Sequence, residues 1–178
     1  MVNSLQLAQM SQIIQHHGIS PLDVLIFKDL HYPLIRHYAL FAGFNSSGYP
    51  LIVANYSKSV GILPPEELQN FSARLELDRV RKFEGSQEDK EHAFERVNKA
   101  FNKKPYDLMF NNCEHFANYV QYGNAYSQQT QVAAGGAAAV GLATTLSAKE
   151  PLAKALGVAL LLAAAGSFAL ELSKQNTF

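Results

Sequence analysis

The chain has almost no cysteine and no excess of charge of either sign. Its single cysteine, Cys113, excludes an internal disulfide framework and any Cys-rich zinc site. A lone thiol fits a reducing compartment. Lys+Arg and Asp+Glu number 15 each, so the formal net charge is zero. A nucleic-acid groove would need a basic excess, so nucleic acid is not expected as a partner. The N-terminus, "MVNSLQLAQMSQIIQHHG", has neither an early basic stretch nor a continuous apolar run, and no signal peptide is expected there. There is no internal repeat. Nor does any residue pattern suggest a metal or an organic cofactor, and none is expected.

What remains suits one domain with an appendage: 178 residues, 48 % of them hydrophobic. The spacing of Leu5, Leu7, Met10, Ile13 and Ile14 predicts an amphipathic helix over 3–17, ending near Gly18. β-type runs follow at 23–27, 37–44, 49–56 and 59–63, with "NSSG" (45–48) as a turn. Residues 64–71 predict a short helix opened by prolines, and "ARLELDRV" (73–80) alternates as a half-exposed strand should. Ser86 and Asp89 form a capping-box-like start. The helix they open is expected to reach about Lys103, with Ala93, Phe94, Val97 and Phe101 inward, and to be closed by Lys104-Pro105. A last helix begins near Asn111 or Asn112 and stops near Gly123. This order predicts an α+β fold with a small antiparallel sheet packed on helices. Three segments result: 1–19, an N-terminal helix; 20–126, the domain carrying the chemistry; and 127–178, an apolar tail.

The tail is nearly devoid of charge. From Val132 to Leu170 only Lys149, Glu150 and Lys154 are charged, and they separate two apolar stretches, 132–148 and 155–170. Both lie at or just below the roughly 17–20 residues needed to span a bilayer. Pro151 opens the second helix near its first turn. Two readings stand: Ala-rich helices packed on the domain or a partner chain, or a membrane-inserted hairpin or anchor. The pairs Gly135/Ala139 and Gly136/Val140 would allow close helix approach in either setting.

The chemistry centres on "NNCEHFANYV" (111–120). An Asn N-cap puts Cys113 in the first helical turn, where the helix dipole and unpaired N–H groups favour a thiolate and offer donors to an oxyanion. His115 is two residues on, about 200° around the helix, and cannot easily serve the thiol. It is expected to pack behind the site or bind the scaffold, and Glu114 to make a local or surface contact. Phe116, Tyr119 and Val120 form the stripe that would hold this helix on the sheet. His16, His17 and His31 lie at a helix end or in a loop, and His92 sits among charges. His37 begins the run "HYALFAGF", where a strand histidine facing the Cys helix would make a Cys–His pair. The alternative is a buried structural Cys with a satisfied histidine.

"RHYALFAG" (36–43) followed by "NCEHFANYV" (112–120) resembles the lecithin retinol acyltransferase-like family, with "DVLIF" (23–27) similar to its opening strand. The resemblance covers roughly 20–123 and implies a circularly permuted papain-like α+β domain related to NlpC-type cysteine enzymes. It implies thiol acyl chemistry on lipid esters, with Cys113 as nucleophile and His37 as general base. The family often has a second histidine on the next strand, where this chain has Ala54 or Asn55. Asn55 is the expected orienting residue, since an amide oxygen can hold an imidazole N–H; if Ala54 takes the slot, that member is missing. A phospholipid or other acyl ester is therefore the expected partner, acted on by an acyltransferase or phospholipase. A peptidase or amidase, or a weakened membrane-bound scaffold, is the alternative. Several family members carry an apolar C-terminal anchor, so membrane association through the tail is expected, with the domain on the cytoplasmic side.

Overall fold

The computed structural model describes residues 4–56, 59–101 and 112–173. Helix α1 (Ser4–His16) precedes strands β1 (Val24–Asp29), β2 (Arg36–Phe44), β3 (Pro50–Tyr56) and β4 (Ser59–Ile62). Then come α2 (Pro65–Arg74), β5 (Leu75–Arg81), α3 (Gln87–Ala100), α4 (Cys113–Tyr122), α5 (Gln128–Ser147) and α6 (Pro151–Ser173). The strands form one sheet in the order β4-β3-β2-β1-β5, every neighbouring pair antiparallel. The fold is α+β, as the alternation of apolar runs and capped helices predicts.

Both sheet faces are covered, which explains why β1 reads as a continuous apolar run rather than an alternating one. Val24, Ile26, Tyr38, Leu40 and Val53 face Phe116, Ala117 and Val120 of α4 and Ala93 and Val97 of α3. Leu25, Phe27, Ala39, Phe41 and Ile52 face Met10 and Ile14 of α1 and Leu68 of α2. Arg96 of α3 donates to the Val120 carbonyl at 2.7 and 2.9 Å, locking the two helices over the first face. Gly123 stops α4 in the left-handed region (φ 77°), a conformation that costs glycine no Cβ clash.

Helix α3 departs from expectation at its far end. Its capping box forms between Ser86 and Asp89. The helix stops at Ala100 rather than near Lys103: Phe101 has an extended ψ of 128° and bridges to Val60 of β4. Ala93, Val97 and Ala100 are the buried positions. Phe94 is 38 % exposed instead of inward, one step round the helix from the covered stripe. The Lys104-Pro105 stop lies outside the described residues.

Helices α5 and α6 form an antiparallel hairpin about the turn at Ala148–Glu150. Their close approach is not at Gly135 or Gly136, where an added Cβ would meet nothing within 4 Å. It is at Gly141 and Gly157: a Cβ on Gly141 would lie 2.8 Å from the Gly157 carbonyl, and one on Gly157 would lie 2.7 Å from the Thr145 nitrogen. Small residues meet only where they share the facing side of both helices, which spacing along one helix does not reveal. Among the described residues one helix, over Pro151–Leu170, is long and apolar enough to cross a membrane, with mean hydropathy 1.8. Its side chains are mostly uncovered, Leu152 at 75 % and Leu162 at 68 % exposure.

Candidate active site

Asn112 caps α4. Its backbone is extended, and its Oδ1 accepts from the N–H groups of Glu114 (2.9 Å) and His115 (3.1 Å). Cys113 is therefore the first helical residue, held against β2: its Sγ accepts the backbone N–H of Tyr38 at 3.3 Å. The thiol is buried, and burial is the largest influence on it. Desolvation, with the nearby Glu114 charge, outweighs the N–H donors of Tyr38, Cys113 and Glu114 and pushes the thiol up to about 11. A helix N-terminus alone favours the thiolate, but here low polarity around the sulfur wins. The resting group is a neutral thiol.

His37 is not on the face first expected. Alternation along β2 sends Tyr38 and Leu40 to α4, and puts Ala39 and Phe41 on the α1/α2 side. His37, opposite Phe27, starts that second set. Its Nε2 lies 3.2 Å from Oδ2 of Asp29, at the end of β1. Among the described residues the hydrogen bond to Cys113 Sγ comes from Tyr38 N–H, and not from the His37 ring. His37 nevertheless opens onto the same space as the thiol. A cavity of about 750 Å³ is lined by Leu34 and Ile35 of the β1–β2 loop, His37, Cys113, and Val132 and Ala133 of α5. Burial holds the His37 imidazolium below its ordinary range, against the opposing pull of Asp29, so the ring is neutral near pH 7 and able to accept a proton.

Asn55 is buried on β3, and its Nδ2 donates to the Asn112 carbonyl at 3.5 Å. It thus touches the backbone that carries the thiol. His115 is fully buried behind the site, its Nδ1 3.0 Å from Asn112 Oδ1. His92 lies on an exposed face near Glu88 and Glu95.

Two groups escaped the sequence reading. Glu114, expected to make a local or surface contact, is 2 % exposed. Its carboxylate accepts from the Tyr38 hydroxyl (3.1 Å), the Ser127 hydroxyl (2.5 Å) and the Gln129 N–H (3.1 Å). Burial and the Glu114 charge raise the Tyr38 phenol well above its usual range. Gln129 also straps the first turn of α5 to β2, accepting from Arg36 N–H at 2.7 Å and donating to the Arg36 carbonyl at 3.1 Å. The second is Asp29. Only the acid–histidine spacing across the β1–β2 loop hinted at it, because the pairing of β1 with β2 decides which acid meets His37. Among the described residues no cluster of three or more His, Cys, Asp or Glu side chains is placed to hold a metal ion.

The profile of one protein family, lecithin retinol acyltransferase, matches residues 31–126, more than half of the chain and the segment that contains both His37 and Cys113. No curated protein matches the chain.

Proposed function

From the premise that the chain belongs to the lecithin retinol acyltransferase family, we propose that it transfers or hydrolyses an acyl group of a phospholipid through a thioester on Cys113. The observation that carries this reading is the placement of the capped, buried thiol and the His37 ring on one cavity rimmed by apolar side chains. Leu34 is 94 % exposed and Val132 75 %, so both rims suit acyl chains better than peptide. Arg79 also lines the cavity and would meet a headgroup phosphate.

His37 takes the proton of Cys113 as sulfur attacks the ester carbonyl. Both groups line one cavity, and catalytic hydrogen bonds commonly tighten once substrate is bound. A C–S bond forms, and the carbonyl oxygen becomes an oxyanion held by backbone N–H groups at the α4 N-terminus. When the tetrahedral species collapses, the ester C–O bond breaks and His37 returns the proton to the departing lysophospholipid oxygen. Water, an alcohol or an amine then attacks the thioester, gives up a proton through His37, and releases the thiol. Asn55 steadies the site from β3 through the Asn112 carbonyl, orienting the backbone that carries the thiol rather than the His37 ring. The unit doing this chemistry is residues 20–126 with the first turn of α5. Helix α6, and α5 beside it, attach the protein to a membrane with the site on the cytoplasmic face, where a lone thiol stays reduced.

The test is incubation of the full chain in detergent with a phosphatidylcholine labelled in one acyl chain, followed by lipid extraction. Release of labelled fatty acid, or its transfer to an added amine or alcohol, supports the reading, provided Cys113→Ala abolishes it. Cleavage of amide substrates without any action on the ester would replace it with a peptidase or amidase.

A further inference from the structure

Asp29 is a tightly held carboxylate near the site. Its side chain is fully buried, at the end of β1. Oδ1 accepts the backbone N–H groups of His31 (2.9 Å) and Tyr32 (3.1 Å), an Asx-type turn that fixes the carboxylate plane. Oδ2 accepts from Arg74 Nη2 at 2.6 Å and lies 3.2 Å from His37 Nε2. The β1–β2 register explains the meeting: Phe27 opposes His37, and Asp29 is the next same-side residue along β1, diagonal to the histidine. Arg74, chiefly, holds the Asp29 carboxyl far below the usual carboxylate range, so it stays an anion through the working pH range.

We propose that Asp29 is the positioning residue for His37: its carboxylate holds the Nε2–H and so fixes the orientation in which the ring serves Cys113. This rests on the Cys–His reading above. An imidazole gripped at one nitrogen by a fixed anion has one tautomer, with the lone pair on the other nitrogen. The same anion stabilises the imidazolium that forms once the thiol gives up its proton. Arg74 does two opposing things. It keeps Asp29 ionised and in place, and its own charge disfavours a second cation on His37. The basicity of His37 is therefore set between the two, and the family's second histidine is replaced in this role by an acid from the opposite neighbouring strand.

The experiment is a pH titration of the His37 ring by NMR in the full-length protein in detergent micelles, run beside the pH profile of Cys113 alkylation by iodoacetamide. Losing the anion should lower the His37 midpoint by about one pH unit in Asp29→Asn, and losing the cation should raise it in Arg74→Gln. Asp29→Glu should restore most of the Asp29→Asn change. A residue that merely braces the loop would not move the two midpoints in opposite directions. An unchanged midpoint in folded Asp29→Asn overturns the proposal. If that variant does not fold, unchanged midpoints in both Arg74→Gln and Asp29→Glu overturn it. Failure of the Cys–His reading looks different: His37→Gln would leave the alkylation profile as in the wild type, while the ring titration still responds to Asp29.

Discussion

The backbone N–H of Tyr38 points at the sulfur of Cys113 from 3.3 Å, so the residue after His37 in the chain, not His37 itself, holds the resting thiol. The strand that carries the histidine thereby fixes the position of the helix that carries the thiol. Because burial raises the Cys113 thiol to about 11, the folded state prefers the protonated form. That preference stabilises the protein fully below the unfolded thiol value of about 8.5 and is lost as pH rises toward 11. The wild-type unfolding midpoint should fall between pH 8.5 and 11 more steeply than that of Cys113→Ala, checked by thermal melts across that range.

His37 and His115 should separate chemistry from stability. His37→Gln should cost about 10²–10⁴ in the acylation rate and leave the melting temperature within a few degrees of wild type. His115 is fully buried against the Asn112 cap. His115→Gln should cost about 1 kcal/mol or more in denaturant unfolding, as cap disruptions do, before it slows the proposed turnover. Single-turnover kinetics beside urea unfolding distinguish the two.

Glu114→Ala should be among the most destabilising single changes in the molecule. It would strand the Tyr38 and Ser127 hydroxyls and the Gln129 N–H beside an emptied space. Each buried donor left unpaired costs about 1–3 kcal/mol, so a loss of about 3 kcal/mol or more is expected. Chemical denaturation reads it.

Asn55→Ala should lower turnover several-fold with little change in lipid binding, since its amide braces the Asn112 backbone and Asn55 itself does not line the cavity. Turnover and vesicle binding measured on one preparation check this.

The tail should be separable only beyond its first turn. Ending the chain at Tyr126 removes Ser127 and Gln129, which partner Glu114 and tie α5 to β2. Ending it after Ala134 keeps them while deleting α6 and most of α5. The longer truncation should stay folded and thiol-reactive yet fail to co-sediment with vesicles, whereas the shorter should melt at a lower temperature. Aggregation of the longer one would mean that the hairpin belongs to the globular core.

Most of the fold was legible in the residues. Apolar runs, alternation and turn chemistry marked the five strands, and Asn112 and Ser86 announced the starts of α4 and α3. What pattern could not reach was anything decided by pairing. Which face His37 takes depends on how β2 sits between β1 and β3. That Glu114 is buried depends on α5 folding back over α4. The glycines that meet in the hairpin are set by the helix faces that touch. The charge state of Cys113 escaped too, because a helix N-terminus is visible in sequence and the burial that overrides it is not.

The proposed chemistry stands on a covalent acyl intermediate on Cys113. Its most direct test is intact-protein mass spectrometry of full-length protein quenched in acid within seconds of mixing with a phosphatidylcholine of known acyl chains. An added mass equal to one acyl group is expected. It should be mapped to the Cys113 peptide, removed by neutral hydroxylamine, and absent in Cys113→Ala. Turnover of the lipid with no adduct at any quench time, and with Cys113→Ala equally active, would contradict it.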